Sequence, residues 1–231
     1  MVGHHDGTQK EAGQDGRKIR AFIFDLDGVL TDTAEYHYRA WKRLADEEKV
    51  PFTREDNEKL RGVSRRASLE LIFHGRSLTE EKASELMDRK NGYYREYLQN
   101  ITAGDLLPGA IELLGILKAR GCRLALASAS KNAPGVIERL NIASYFEVIA
   151  DGNSVQKTKP APDLFLYAAD RLGIPPENCL VVEDAEAGIA AARAAGMATI
   201  GIGPPERVGK ADYIYPSVAA IRLEDIRGID C

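Results

Sequence analysis

Ile19-Arg20-Ala21-Phe22-Ile23-Phe24-Asp25-Leu26-Asp27-Gly28-Val29 is the stretch that decides the fold. The run from Ile19 to Phe24 is apolar enough to read as a buried strand rather than a half-exposed one. It stops on Asp25, and Asp27 follows two residues later. Residues two apart on an extended segment point to the same side, so both carboxylates would share one edge. Two like charges ~4 Å apart cost about 4 kcal/mol at intermediate dielectric. A bound cation, or protonation of one partner, relieves that cost. An ordinary turn, in which Asp and Gly are common, accounts for the same residues.

Downstream the periodicity changes. From Thr33 to about Asn100 the chain reads as helical, with apolar spacing at His37, Trp41 and Leu44 and no convincing strand. Asp32 and Glu35 are placed to form a capping box on its first helix. After Pro108-Gly109 strands and helices alternate. Helices are expected over Ile111 to Ala119, from Pro134 to near Leu140, over Pro162 to Leu172 and over Glu186 to Ala195. Strands are expected over Arg123 to Ala127, Glu147 to Ala150, Cys179 to Val182 and Ala198 to Ile202. This alternation implies an α/β fold, a Rossmann-like parallel sheet covered on both faces. The expected division is a tail over 1–17, a core over 18–32 and 105–231, and an inserted helical cap domain over 33–104. Ligands of such sheets bind beyond the carboxyl ends of the strands, where an insertion after the first strand would overhang as a lid.

Three further segments sit at those ends. Ser128-Ala129-Ser130-Lys131-Asn132 offers hydroxyls, an amide and a lysine at a helix N-terminus, where N–H groups and the helix dipole favour anions. Capping by Ser130 or Asn132 explains the same residues as well. Lys159 lies in a Pro-rich turn, Lys159-Pro160-Ala161-Pro162, which restricts its backbone. In isolation it reads as a surface lysine. Glu183-Asp184 ends a buried strand, and two acids there are costly without a cation. Oxygen-rich sites of this kind suit a hard ion such as Mg²⁺. Capping of the helix near Glu186 is the competing explanation.

Taken together and in this order, the segments resemble the haloacid dehalogenase superfamily from Lys18 to about Asp225. Phe24 through His37, Arg61-Gly62-Val63-Ser64-Arg65 and Arg89-Lys90-Asn91 are similar to its β-phosphoglucomutase branch in particular. Two positions depart from that pattern: Arg61, where lysine is frequent, and Ala185, where serine often follows the second acid pair. The resemblance implies Asp25 as nucleophile and Asp27 as general acid/base. It implies Mg²⁺ held by Asp25, the Asp27 backbone carbonyl, Asp184 and Glu183, with Lys159 and Ser128 on the transferring phosphoryl group. Arg65, Ser130, Lys131 and Asn132 would hold a second phosphate. Thr33, His37, Gly62, Lys90 and Ala129 would complete the substrate site. His37 packing on its own helix and Lys90 as a solvated lysine are the plainer readings of those two residues. The implied reaction interconverts β-D-glucose 1-phosphate and glucose 6-phosphate through an aspartyl-phosphate enzyme and a 1,6-bisphosphate. A magnesium-dependent sugar-phosphate phosphatase and a silent sugar-phosphate-binding protein are the alternatives.

Composition narrows the partners. The 231 residues are 44% hydrophobic and 29% charged, with a net charge of -4 and no basic block. A general nucleic-acid footprint is therefore not expected. No apolar run reaches the length of a membrane span, and Met1 to Arg17 lack the apolar core of a signal peptide. Cys122, Cys179 and Cys231 are scattered, and the first two open apolar runs as buried thiols would. The expectation is a cytoplasmic, reducing setting and a monomer acting on small sugar phosphates.

Overall fold

The structure, a computed structural model, describes residues 18–60, 63–157 and 159–231. The tail expected over 1–17, and Arg61 and Gly62, lie outside the described residues.

β1 (Ala21–Phe24) is followed by α1 (Ala34–Glu47), α2 (Arg54–Glu58), α3 (Arg65–Ile72) and α4 (Glu80–Leu98). The alternating half then runs α5 (Ala110–Ala119), β2 (Arg123–Ala127), α6 (Ala133–Arg139), β3 (Val148–Ala150), α7 (Asp163–Leu172), β4 (Cys179–Glu183), α8 (Glu186–Ala194), β5 (Ala198–Ile202), α9 (Pro205–Val208) and β6 (Tyr213–Tyr215). The strands form a six-stranded sheet of order β3-β2-β1-β4-β5-β6. Every pairing is parallel, so all the carboxyl ends share one edge. β1 lies between β2 and β4, with Phe24 paired to Leu126 on one side and Val182 on the other. The strand order reverses around β1, which makes the edge beside Asp25 the crevice of the sheet.

Strand alternation divides the core between two faces. Phe22, Phe24, Leu124, Leu126, Leu180 and Val182 pack on one side. Ala21, Ile23, Ala125, Ala127, Cys179 and Val181 pack on the other, against Leu164, Phe165 and Ala168 of α7. The small residues on this second face let α7 approach closely. The helices after β1 have a core of their own around Trp41, Leu44, Leu69, Ile72 and Leu86. Burying a Leu or Ile of this kind contributes about 1.5–3 kcal/mol. No helix among the described residues is long and apolar enough to cross a membrane.

Two expectations need correction. Asp32 and Glu35 do not form a capping box. Thr33 is the N-cap of α1 and makes no side-chain cap bond. Asp32 Oδ1 accepts from the Ala34 N–H at 3.0 Å, while Glu35 pairs with Arg39 and Arg54. The reciprocal box forms instead at Thr53 and Asp56, on α2. The cysteines are not all free thiols either. Cys122 and Cys231 form a disulfide, and Cys179 is the buried free thiol. The pairing arises because the C-terminal segment returns beside the start of β1: Ile19 N–H donates to Gly228 O at 2.6 Å and Asp230 N–H to Ile19 O at 2.8 Å. That brings residue 231 to Cys122, just before β2, across a sequence separation of 109. The argument from scattered cysteines to a reducing compartment loses its footing.

Candidate active site

Asp25 follows β1 directly, and its N–H is held by Val182 O at 2.9 Å. This bond continues the ladder one residue past the strand and fixes where the carboxylate points. Asp25 is buried, and Lys159 Nζ donates to its Oδ1. The lysine also donates to Glu183 Oε2 at 2.7 Å and Ala127 O at 3.0 Å. Its side chain is fully buried, so it is no surface lysine. Burial opposes its charge, but Asp25 and Glu183 outweigh that and hold it protonated well above the ordinary lysine range. Burial, followed by the charge of Asp25, pushes Glu183 up despite Lys159.

Two glycines make this crowding achievable. Gly28 has φ +79, and a Cβ there would lie 2.3 Å from Asp184 Oδ2. A Cβ on Gly188 would lie 2.0 Å from the Glu183 carboxyl. Both contacts fall inside van der Waals distance, so side chains at these positions would displace the second acid pair.

Asp25, Glu183 and Asp184 can each bring a carboxylate oxygen within 4.8 Å of the others, and all three are buried. An all-oxygen set of this charge fits a hard divalent cation. The Asp27 carboxylate is outside this group and accepts a hydrogen bond from Thr33 Oγ1. Glu183 already holds Lys159 through Oε2, and its Oε1 accepts from the N–H groups of Asp184 and Ala185 at 3.1 Å. In this structure it orients the lysine. Arg207, which the sequence did not single out, brings Nη2 to 3.8 Å from Asp184 Oδ2.

Asp27 has a different environment from its neighbour. Burial, then the charge of Asp25, raise its pKa to about 7, against the opposing Thr33 hydrogen bond. Thr33 in turn accepts from Tyr94 OH at 3.1 Å. A carboxyl poised near neutrality, beside one paired with a lysine, is the pattern of an acid/base group next to a nucleophile.

The far side of the site comes from the helices after β1. Lys90 Nζ lies 2.7 Å from His37 Nδ1, and the His37 ring stacks on Tyr94 with centroids 4.0 Å apart. Burial, then the Lys90 charge, hold His37 well below its ordinary value, so the imidazole is neutral and accepts from the lysine. Lys90 itself is buried, with Nζ over the rings of Trp41 and Tyr94. It is not a solvated helix lysine. Burial, then the Arg65 charge, lower its pKa well below the usual lysine range. Arg65 Nη2 donates to Asn91 Oδ1 at 2.9 Å.

After β2, Ser128 is buried and its Oγ accepts from the Ser130 N–H at 3.1 Å. Ser130 Oγ accepts from the Asn132 N–H at 3.3 Å. Asn132 is the N-cap of α6, but its side chain makes no cap bond and donates from Nδ2 to Asn91 Oδ1 at 2.8 Å. Simple capping therefore does not account for Asn132.

One cavity of about 1020 Å³ joins these groups. Asp25, Asp27, His37, Arg65, Lys90, Ser128, Ala129, Ser130, Lys131, Lys159 and Asp184 line it. Thr33, Asn132 and Glu183 stand behind the wall, bonded to Asp27, Asn91 and Lys159. Gly62 lies outside the described residues. Asn91 and Tyr94 were given no role by the sequence reading, because only the packing of α4 across the site places them there.

Comparison with known proteins places this geometry in a family. The model of the haloacid dehalogenase-like hydrolases matches residues 19–196. The chain belongs to that family. Among members of this haloacid dehalogenase-like family, a Bacillus subtilis β-phosphoglucomutase is 45% identical over 210 residues, covering 89% of this chain and 93% of the relative. A Thermotoga maritima phosphorylated carbohydrates phosphatase is 30% identical, covering 91% and 98%. The crystal structure of a Clostridium difficile β-phosphoglucomutase superposes with a TM-score of 0.87 at 41% identity, covering 90% of this chain and 96% of that one. The α/β fold class, with its parallel sheet, and the family expected from the sequence are those found, and the sheet gains a sixth strand, β6, at its edge.

Proposed function

We propose that the protein is a phosphomutase that interconverts β-D-glucose 1-phosphate and D-glucose 6-phosphate. The observation that carries this reading is that one cavity gathers more anion-seeking groups than a single phosphate needs. Lys159, bonded to Asp25, lines it together with Ser128, Ser130 and Lys131 from the segment after β2 and Arg65 from α3. A hydrolase for monophosphates needs only one phosphate site. A bisphosphate, held alternately by either end, needs two.

Asp25 acts as nucleophile and carries the phosphoryl group as an aspartyl-phosphate. The sugar 6-hydroxyl attacks the phosphorus, the Asp25–phosphate bond breaks, and Asp27 takes the hydroxyl proton. The resulting 1,6-bisphosphate turns over in the cavity. Asp25 then attacks the phosphorus at C1, the C1 oxygen leaves, and Asp27 returns the proton. Lys159 and Ser128 bind the transferring group, while Arg65, Ser130, Lys131 and Asn132 hold the other phosphate. Guanidinium suits that second task because its fork matches phosphate oxygens. His37, Lys90, Ala129 and the Gly62 backbone border the sugar. Mg²⁺ held by Asp25, Asp184, the Asp27 backbone carbonyl and Glu183 would neutralise charge on the transferring phosphoryl group.

The segment 33–104 serves as a lid over a core formed by 18–32 and 105–231. Thr33 is the first residue of the lid and is bonded to Asp27, so lid position and acid/base geometry are linked. Discrimination between a sugar hydroxyl and water would follow from closure on a proper substrate. The protein acts as a monomer, in the cytoplasm where charged sugar phosphates are retained.

Incubation with β-glucose 1-phosphate, Mg²⁺ and a trace of bisphosphate primer tests the reading. Stoichiometric glucose 6-phosphate is expected. Stoichiometric inorganic phosphate would replace the mutase with a phosphatase, and neither product would leave a binding protein.

A further inference from the structure

Asn91 lies on α4, one residue from Lys90, and has no part in the chemistry set out so far. Its side-chain oxygen nevertheless receives two donors from different parts of the molecule. Arg65 Nη2, on α3, reaches it at 2.9 Å, and Asn132 Nδ2, at the start of α6, at 2.8 Å. Arginine can only donate, so the atom facing it must be the amide oxygen, and Asn132 must present its NH₂. Both lone pairs of that oxygen are therefore directed at groups expected to bind the non-reacting phosphate. Arg65 lies in the helical segment and Asn132 on the sheet core, so the shared acceptor joins the two sides of the cleft. The acceptor is a neutral amide. It orients a guanidinium without supplying the negative charge that a half-buried cation seeks, and an arriving phosphate outcompetes it.

We propose that Asn91 is a positioning residue that stands in for a phosphate oxygen when the distal site is empty, keeping Arg65 and Asn132 converged until a phosphate replaces it. The inference rests on the phosphomutase reading, and it assigns Asn91 a role in affinity and closure rather than in phosphoryl transfer itself.

Two variants separate this role from a merely structural one. Asn91→Ala removes the shared acceptor and lets Arg65 and Asn132 part. Asn91→Asp keeps the shape and both acceptor positions but adds a charge that ties Arg65 down and competes with the phosphate. For each, KM and kcat for β-glucose 1-phosphate are measured with acetyl-phosphate turnover on the same preparation, since that donor has no second phosphate. The expected result is a fall of about tenfold in kcat/KM for the sugar phosphate relative to acetyl phosphate in Asn91→Ala. In Asn91→Asp the rise in KM should be larger still, although it is the more conservative change. A purely structural asparagine would give the opposite order, with Asp closer to the parent. That order, parental KM in both variants, or equal loss of both reactions would each overturn the proposal. If the parent itself made no glucose 6-phosphate, the failure would belong to the phosphomutase reading instead, and the two results are distinguishable.

Discussion

Replacing Lys159 with methionine isolates the electrostatics at the centre of the site. The side chain keeps much of its length and packing, including its place by Phe165, but loses the charge. In the metal-free protein Lys159 is bonded to Asp25 and Glu183, and Asp184 completes the acid cluster. Removing one partner from a buried ionic group leaves uncompensated charge and costs about 3–5 kcal/mol. For a chain of this size each kcal/mol moves Tm by about 2–4 °C, so the expected drop is roughly 6–20 °C. The pH dependence has a definite sign. Burial, then the charge of Asp25, already raise Glu183, and removing the lysine takes away the charge that opposes them. The Glu183 contribution to stability is then complete below its unfolded pKa and lost as pH rises through the folded one. The deficit of Lys159→Met should therefore be larger at pH 8 than at pH 5. Added Mg²⁺ should raise Tm more in the variant than in the parent, because the ion supplies the missing positive charge. Differential scanning calorimetry on chelator-treated protein, with and without Mg²⁺, measures all three effects. A metal-free Tm within about 2 °C of the parent, or a deficit that grows on acidification, would refute the reasoning.

Other outcomes follow from the same geometry. Asp27→Asn should lose about 10²–10⁴-fold in sugar phosphoryl transfer, while rapid-quench assays still detect phosphorylation of Asp25 by acetyl phosphate. Arg65→Ala should lose about 1.5–3 kcal/mol of phosphate binding, or roughly 10- to 150-fold in kcat/KM for β-glucose 1-phosphate, again with acetyl-phosphate turnover as the reference. Cys122→Ser should lower stability by about 2–4 kcal/mol, read as a shift of roughly 4–16 °C in Tm. It should leave mutase kcat/KM unchanged, because Cys122 precedes β2 at the end of the sheet away from Asp25.

Much of this arrangement was legible because buried parallel strands leave a plain signature. Ala21 to Phe24 and Cys179 to Val182 are uninterrupted apolar runs that end in acids, and the structure pairs them side by side. β6 escaped notice because it is three residues long at the sheet edge, with Ile214 exposed. The first helix start was misread because Asp32 and Glu35 satisfy a local capping pattern, while the Asp32 side chain turns instead to the Ala34 N–H and Glu35 to arginines. Glu35 is drawn to Arg54, far along the chain, and Thr33 is committed to Asp27 rather than to its own helix. Tyr94 and Arg207 were invisible, and Asn91 was noticed only within the Arg89-Lys90-Asn91 motif and given no role, for a related reason. Each is an ordinary residue on a helix, and its importance comes from what another element places opposite it. The Cys122–Cys231 pairing likewise depends on the path of the C-terminal segment, on which spacing says nothing.

The central claim is that phosphate on Asp25 passes to a sugar rather than to water. Enzyme labelled on Asp25 with radioactive phosphate, freed of donor and mixed with unlabelled β-glucose 1-phosphate and Mg²⁺, tests it in a single turnover. Rapid quenching should find the label first in glucose 1,6-bisphosphate and then in glucose 6-phosphate, with little inorganic phosphate. Label appearing directly as inorganic phosphate, at a rate that β-glucose 1-phosphate does not divert, would contradict the account.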